Sequence, residues 1–164
     1  MTELSAGTVP EGFEQLPQGL GFTDNLQPCY RRVRGTEVSF GLYVDDQHIN
    51  LMGVCHGGVL TTLADVAAAS GLNVVRGEVA GSPTLNLSVD FIAAGRLGDW
   101  LQADVDQATV KRRFGFCHGT INGPKGLVAR FNGTFYLPEH KGVWKDKEKA
   151  ARFTSENDPF GAQT

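Results

Sequence analysis

Four features capable of chemistry lie close together near the middle of the chain: Asn50, His56, the pair Gly57-Gly58, and Asp65. An aspartate can activate a water or attack a carbonyl carbon directly. Glycines at a helix entry let backbone N–H groups approach a ligand, and those first N–H groups lack partners within the helix. The helix dipole adds positive potential there, so such an end can hold an anion or a developing oxyanion. An asparagine amide can orient a carbonyl or a water. A Gly-Gly pair alone is more often a tight turn. Joined as Asn-x5-His-Gly-Gly-x6-Asp, the four features form a pattern that chance seldom produces.

The positioning element is one helix, predicted to begin near Gly57 or Gly58 and run to about Val75. Val59, Leu63, Val66, Ala67, Ser70 and Val74 recur at helical spacing and define its expected packing face. Asp65 interrupts a helix otherwise almost free of charge. Burying a carboxylate without a partner is costly, so it either lies on a wet side or belongs to a site.

Around this helix the pattern is strand-like. Cys29 to Val33 and Glu37 to Val44 precede it; in the second, Val38, Phe40, Leu42 and Val44 alternate with polar or small residues. Thr84 to Ile92 alternates again, with Leu85, Leu87, Val89 and Phe91 on one face. Further strands are expected over about Trp100 to Thr109, Phe114 to Asn122 and Leu127 to Tyr136, the last two joined through the turn residues Asn122-Gly123-Pro124-Lys125-Gly126. Strands grouped about a single helix indicate α+β with an antiparallel sheet. Residues 1–27 read as a loosely structured arm with a short helix around Glu11 to Leu16. Residues 28–137 form the domain, and residues 138–164 a polar tail with a short helix over Lys145 to Phe153.

The 164 residues suit one domain with a sizeable core. The net charge of −3 gives no reason to expect nucleic-acid binding. Cys29, Cys55 and Cys117 cannot all pair with one another and show no Cys-x2-Cys metal spacing, so free thiols in a reducing cytoplasm are expected. The first residues lack the pattern of a signal peptide, and no apolar run is read as membrane-spanning. His48 reads as a surface loop residue and His118 as structural. Cys55, just before the helix, invites a nucleophilic reading, but an apolar loop neighbour is the simpler one.

Asn50…Gly53…His56-Gly57-Gly58…Leu63-Ala64-Asp65 resembles the signature of the hotdog-fold acyl-CoA thioesterases, in particular the PaaI-like group of the phenylacetic acid pathway. The likeness runs from about Arg32 to Leu137. It implies a curved antiparallel sheet of about five to six strands wrapped around one long central helix. It also implies a homo-oligomer, a dimer pairing again into a homotetramer, with no cofactor and no metal. By this resemblance Asp65 is general base or nucleophile, and the oxyanion donor is the Gly57 amide, alone or with that of Gly58 or His56. Asn50 orients thioester or water, and His56 shapes the loop. Thr84, with Ser82 second, matches a position that helps place the water. Each site would span two chains, with Asn50, His56 and Gly57 of one facing Asp65 and Thr84 of the other. Lys111, Arg112 and Arg113 are the cluster proposed for the coenzyme A nucleotide.

Two departures from the family pattern bear on specificity: Ala93-Ala94-Gly95 stands where many relatives have Arg-Pro, and the turn at Lys111-Arg112-Arg113 lacks a glycine common there. Two rivals remain. One is a hotdog protein that binds acyl-CoA or fatty acyl groups without turnover, against which Asp65 argues. The other is an enoyl-CoA hydratase relative, for which the expected Asp-x4-His arrangement is replaced by Asn50-x5-His56.

Overall fold

The computed structural model describes residues 7–77 and 81–139. Within them one antiparallel sheet curls around a single α-helix. The strands are β1 (Glu14–Gln15), β2 (Cys29–Arg34), β3 (Glu37–Tyr43), β4 (Thr84–Phe91), β5 (Trp100–Lys111), β6 (Phe114–Gly123) and β7 (Gly126–Tyr136). Their spatial order is β1-β2-β3-β5-β6-β7-β4. The helix, α1 (Gly57–Arg76), enters between β3 and β4 in sequence and fills the concave side.

The sequence reading of five to six strands falls one short. The seventh, β1, is a two-residue edge lying in the stretch read as a loose arm: Glu14 pairs with Arg31 and Gln15 with Tyr30. No helix forms around Glu11 to Leu16; a 3-10 helix follows instead at Gly21–Leu26. Leu16 and Leu26 are buried, and those two anchors tie the arm to the body. The helix expected over Lys145 to Phe153 lies outside the described residues.

The helix bounds agree with the periodicity, and Leu63, Ala67 and Ser70 of the face read in the sequence are buried, but the centre of the packed face is shifted from the one read. Leu60, Leu63, Ala64, Ala67, Ala68 and Leu72 are buried against the sheet, whereas Val59, Val66 and Val74 are only partly covered. Alanines face the sheet because the two layers approach closely there. At Gly71 an added Cβ would stand 2.9 Å from a methyl of Val105. Phe40, Leu42, Leu101, Ile121, Phe131 and Phe135 supply the opposing layer. Each fully buried leucine contributes about 1.5–3 kcal/mol by leaving water. By length and composition α1 could cross a membrane, contrary to the sequence reading of no such run. Its apolar side chains are those of a core helix lying in the sheet.

At its C-terminal end α1 stops at Gly77, whose φ of 66° is left-handed and whose N–H bonds back to the carbonyls of Asn73 and Val74. Gly77 is the usual kind of helix terminator, since glycine adopts this conformation without a Cβ penalty. Irregularities bend the sheet at Val105/Gln107 in β5, Thr84/Asn86 in β4 and Ile121/Asn122 in β6. The strand β4 has β7 on one side, and its other edge is open among the described residues.

Candidate active site

The loop before α1 is organised by Asn50. Its side-chain Oδ1 accepts the N–H groups of Met52 (2.9 Å) and Val54 (3.4 Å), and its backbone carbonyl accepts the Gly53 N–H at 2.9 Å. Gly53 takes a φ of 72°, closing a turn that a side chain would strain. With Oδ1 engaged in the loop, the Asn50 NH2 group is the part left to meet a ligand.

His56 is the N-cap of α1. Its Nδ1 accepts the Gly58 N–H at 2.8 Å, which requires Nδ1 to be unprotonated in this arrangement. Its carbonyl accepts the N–H groups of Val59 (2.9 Å) and Leu60 (3.3 Å). Three of the four amides that open the helix are thereby satisfied. The fourth, the Gly57 N–H, has no partner among the described residues, and it lies at the positive end of the helix dipole. The structure thus distinguishes the two glycines: Gly58 spends its amide on the cap, and the Gly57 amide is left open at the helix entry.

The loop is held from below by a residue the sequence reading placed on the surface. His48 is fully buried. Its Nδ1 accepts the Asp45 N–H at 3.1 Å, its carbonyl accepts the His56 N–H at 2.8 Å, and Gln47 ties the same turn to the carbonyl of Gln27. Nothing in the polar run Asp45-Asp46-Gln47-His48 signals this burial, because it depends on the chain folding back over the turn. Cys55 is buried too, and burial pushes its thiol up to about 12. This reverses the lowered pKa that a site before a helix would favour, and keeps the sulfur a neutral packing group.

Asp65 sits two turns into α1, partly exposed, and Thr84 at the start of β4 donates its hydroxyl to Asp65 Oδ1 at 2.7 Å. Ser82, two residues earlier, is half-buried. The irregularity between Thr84 and Asn86 turns Thr84 to the helix side of a strand whose simple alternation would put it opposite Leu87 and Val89. Phe91, at the other end of β4, is a residue the sequence reading missed. A Cβ added to Gly57 would lie 3.3 Å from Phe91 Cζ, so the ring rests on the first turn of α1 while staying 56% exposed.

Lys111, Arg112 and Arg113 are not brought to Asp65. They form the exposed hairpin between β5 and β6, beyond the C-terminal end of α1. There Arg112 and Arg113 line a cavity of about 450 Å³ with Arg76, Phe114, Leu137 and Glu139. Arg113 donates from Nε and Nη2 to Glu139 Oε1 at 3.0 and 2.7 Å. Arg76 Nη2 donates to the Pro138 carbonyl at 3.3 Å. Among the described residues no set of three or more His, Cys, Asp or Glu side chains gathers as a metal site.

Comparison with known proteins places this arrangement. A family model described as "Thioesterase superfamily" matches residues 52–128, from the Asn50 loop to β7. A putative esterase of Pseudomonas aeruginosa is 33% identical over 131 residues, which is 79% of this chain and 98% of that protein. Among solved structures, a point mutant of the phenylacetic acid degradation protein PaaI from Thermus thermophilus superposes with a TM-score of 0.63 at 26% identity, covering 71% of this chain and 98% of that one. A hypothetical thioesterase from Streptococcus pneumoniae, solved with coenzyme A, shares the fold with a TM-score of 0.59 at 23% identity, covering 67% and 85%.

Proposed function

Because the chain belongs to the thioesterase superfamily, among the PaaI-like proteins of the hotdog fold, we propose that it is an acyl-CoA thioesterase. The observation that carries this reading is the Asp65–Thr84 pair, a carboxylate presented at the surface of an apolar helix with one oxygen fixed by a hydroxyl at 2.7 Å. A protein that only binds acyl groups has no use for a carboxylate there.

In this reading the thioester carbonyl oxygen accepts from the Gly57 N–H, where charge develops in the transition state. The Asn50 amide orients the thioester or the water. Asp65 removes a proton from the attacking water, or attacks the carbonyl itself to form a mixed anhydride that water then opens. In either route the carbon–sulfur bond breaks and coenzyme A leaves as the thiolate. Thr84 fixes the reactive carboxylate, and His56 keeps the helix entry in shape.

Gly57 and Asp65 of one chain cannot serve the same carbonyl. Eight helical residues separate them, about 12 Å along the axis at 1.5 Å per residue. A complete site therefore takes Gly57, His56 and Asn50 from one chain and Asp65 and Thr84 from another. The open edge of β4 fits that assembly: Leu85, Phe91 and the adjacent Ile92 are 56%, 56% and 52% exposed, and an uncovered apolar edge strand favours pairing with a second copy. We infer a dimer joined through β4, on which a further pairing into a tetramer can build.

The test is thiol release from a panel of short, medium, long and aryl acyl-CoAs, with Asp65→Asn beside the wild type and both sized in solution. Release that vanishes in the variant, with the oligomer unchanged, supports the reading. Full turnover by Asp65→Asn removes Asp65 from the chemistry. No release by a folded, oligomeric wild type favours the acyl-binding alternative.

A further inference from the structure

We propose that the N-terminal arm is a positioning element for the hydrolysis, joined to the loop that carries Gly57 through two glutamines, Gln27 and Gln47. This inference rests on the thioesterase reading for its chemistry and adds what holds the Gly57 amide in place.

An oxyanion donor works only if it already points where the charge will develop. The segment that carries it here has much freedom to lose, since Gly53, Gly57 and Gly58 fall within one short stretch. Its supports lie outside it. On one side the Cys55 N–H donates to the Gly95 carbonyl at 2.8 Å, in the connection between β4 and β5. On the other the His56 N–H donates to the His48 carbonyl at 2.8 Å. The second support leads to the arm.

Gln47 makes that link. Its side-chain amide donates to the Gln27 carbonyl, and the same nitrogen lies 3.4 Å from Nε2 of the buried His48 ring. The Gln47 N–H donates to Asp45 Oδ1 at 3.0 Å, and the His48 N–H donates to the Asp45 carbonyl at 3.0 Å. The turn from Asp45 to His48 is thereby tied as one unit, with Gln27 as its contact on the arm side.

Gln27 is where the arm, the 3-10 helix, β2 and this turn meet. It is 8% exposed, and each of its polar groups is engaged. Its N–H donates to the Asp24 carbonyl at 3.1 Å, and its own carbonyl accepts from Gln47. Its Nε2 donates to the carbonyls of Leu16 and Pro17 at 3.2 and 3.0 Å, and its Oε1 accepts the Cys29 N–H at 3.1 Å. Moving a buried amide of this kind leaves polar groups unpaired, which is costly, so Gln27 is a fixed point.

The arm itself is anchored on β2 and β3, away from the helix entry. The Leu16 N–H donates to the Cys29 carbonyl at 2.8 Å. The Phe13 ring meets Trp100 edge-on at 5.2 Å, with the Arg32 guanidinium 4.5 Å from its centre. The Tyr43 hydroxyl donates to the Thr8 carbonyl at 3.1 Å. A strap that only covered the sheet edge would need these contacts alone. The bonds through Gln27 and Gln47 lead instead to the helix entry.

The test uses the full-length protein with three substitutions. Gln47→Glu keeps the length of an exposed side chain, but its ionised carboxylate cannot donate to the Gln27 carbonyl. Gln47→Lys restores a donor. Phe13→Ala loosens the arm without touching the loop. On the best acyl-CoA, Gln47→Glu should lower kcat about tenfold with KM near the wild-type value, short of the loss of about 100-fold or more that follows removal of an oxyanion donor. Gln47→Lys should recover most of kcat, and Phe13→Ala should lower it in the same sense. Wild-type kcat in Gln47→Glu, a lysine variant no better than the glutamate one, or a Phe13→Ala effect confined to Tm overturns the proposal.

Hydrogen exchange separates this proposal from the reading on which it rests. The amides from His56 to Leu60 should exchange faster in Gln47→Glu and Phe13→Ala than in the wild type, while those of β6 and β7 stay unchanged. Unchanged exchange at the helix entry overturns the link between arm and loop. Faster exchange there, with a wild type that hydrolyses no acyl-CoA, defeats the thioesterase reading and leaves the link standing.

Discussion

The hydroxyl of Thr84 is fixed on the carboxylate of Asp65, 2.7 Å from Oδ1, across nineteen residues of sequence. One oxygen of Asp65 is thereby occupied and oriented. Thr84→Ala should lower kcat tenfold or more, because the carboxylate loses its fixed direction. Thr84→Ser keeps the hydroxyl and should recover most of the rate. Steady-state kinetics on the best acyl-CoA decide it; equal activity of the alanine and serine variants would show that the hydroxyl contributes nothing.

His56 caps α1 through Nδ1 and leaves Gly57 as the open amide. His56→Ala frees the Gly58 N–H and removes an N-cap, at a cost of about 1 kcal/mol. For a chain of this size that is a fall in Tm of about 2–4 °C. The same variant should lower kcat, since the first turn no longer holds Gly57 in place. His56→Asn, whose side-chain oxygen can accept the same N–H, should restore the Tm. A His56→Ala protein that melts like the wild type would remove the capping role.

The Phe91 ring and the Gly57 backbone occupy adjoining space, 3.3 Å from an added Cβ. Gly57→Ala should push Phe91 off the helix entry and reduce kcat/KM about tenfold. Combining it with Phe91→Leu, which gives the methyl room, should recover part of the loss. Two effects that simply add in a double-mutant cycle would mean the two residues do not share the site.

The buried thiols make stability depend on alkaline pH. Burial pushes Cys29, Cys55 and Cys117 up to about 12 from an ordinary 9.0, with the nearby Asp106 charge adding to the effect at Cys117. These groups bind protons more tightly when folded, so their contribution is fully present below about pH 9 and is lost as pH rises toward 12. The wild-type Tm should fall between pH 9 and 11 more steeply than that of Cys29→Ala. The alanine variant is measured against its own value at pH 7, which removes the packing cost. At pH 7 the folded protein should resist iodoacetamide. Parallel slopes would show that the thiols do not titrate in this range.

Much of the fold was legible because periodicity reports directly on layers. The helix bounds and the strands from Cys29 onward read correctly from alternation and helical spacing. The shifted centre of the packed face of α1 was not legible. Alanine and valine are both apolar, and only the close approach of the sheet decides that Ala64 and Ala68 are fully buried against it while Val59, Val66 and Val74 pack at its margin, partly covered. The short strand β1 escaped because two residues carry no period. His48 escaped because its neighbours are polar.

What the sequence by itself determined is the set of parts: one apolar helix with a carboxylate two turns in, a glycine pair at its entry, and strands enough to surround it. Local chemistry suffices for these, since each depends on residues within a few positions of one another. Only the tertiary structure decided how the parts meet. An irregularity in β4 turns Thr84 onto Asp65, the His56 ring consumes the Gly58 amide and leaves that of Gly57, and the β5–β6 hairpin carries Arg112 and Arg113 to the end of α1, beside Arg76. These contacts join residues far apart in the chain or depend on the direction a side chain takes. Both are fixed by packing, which no short window of sequence contains.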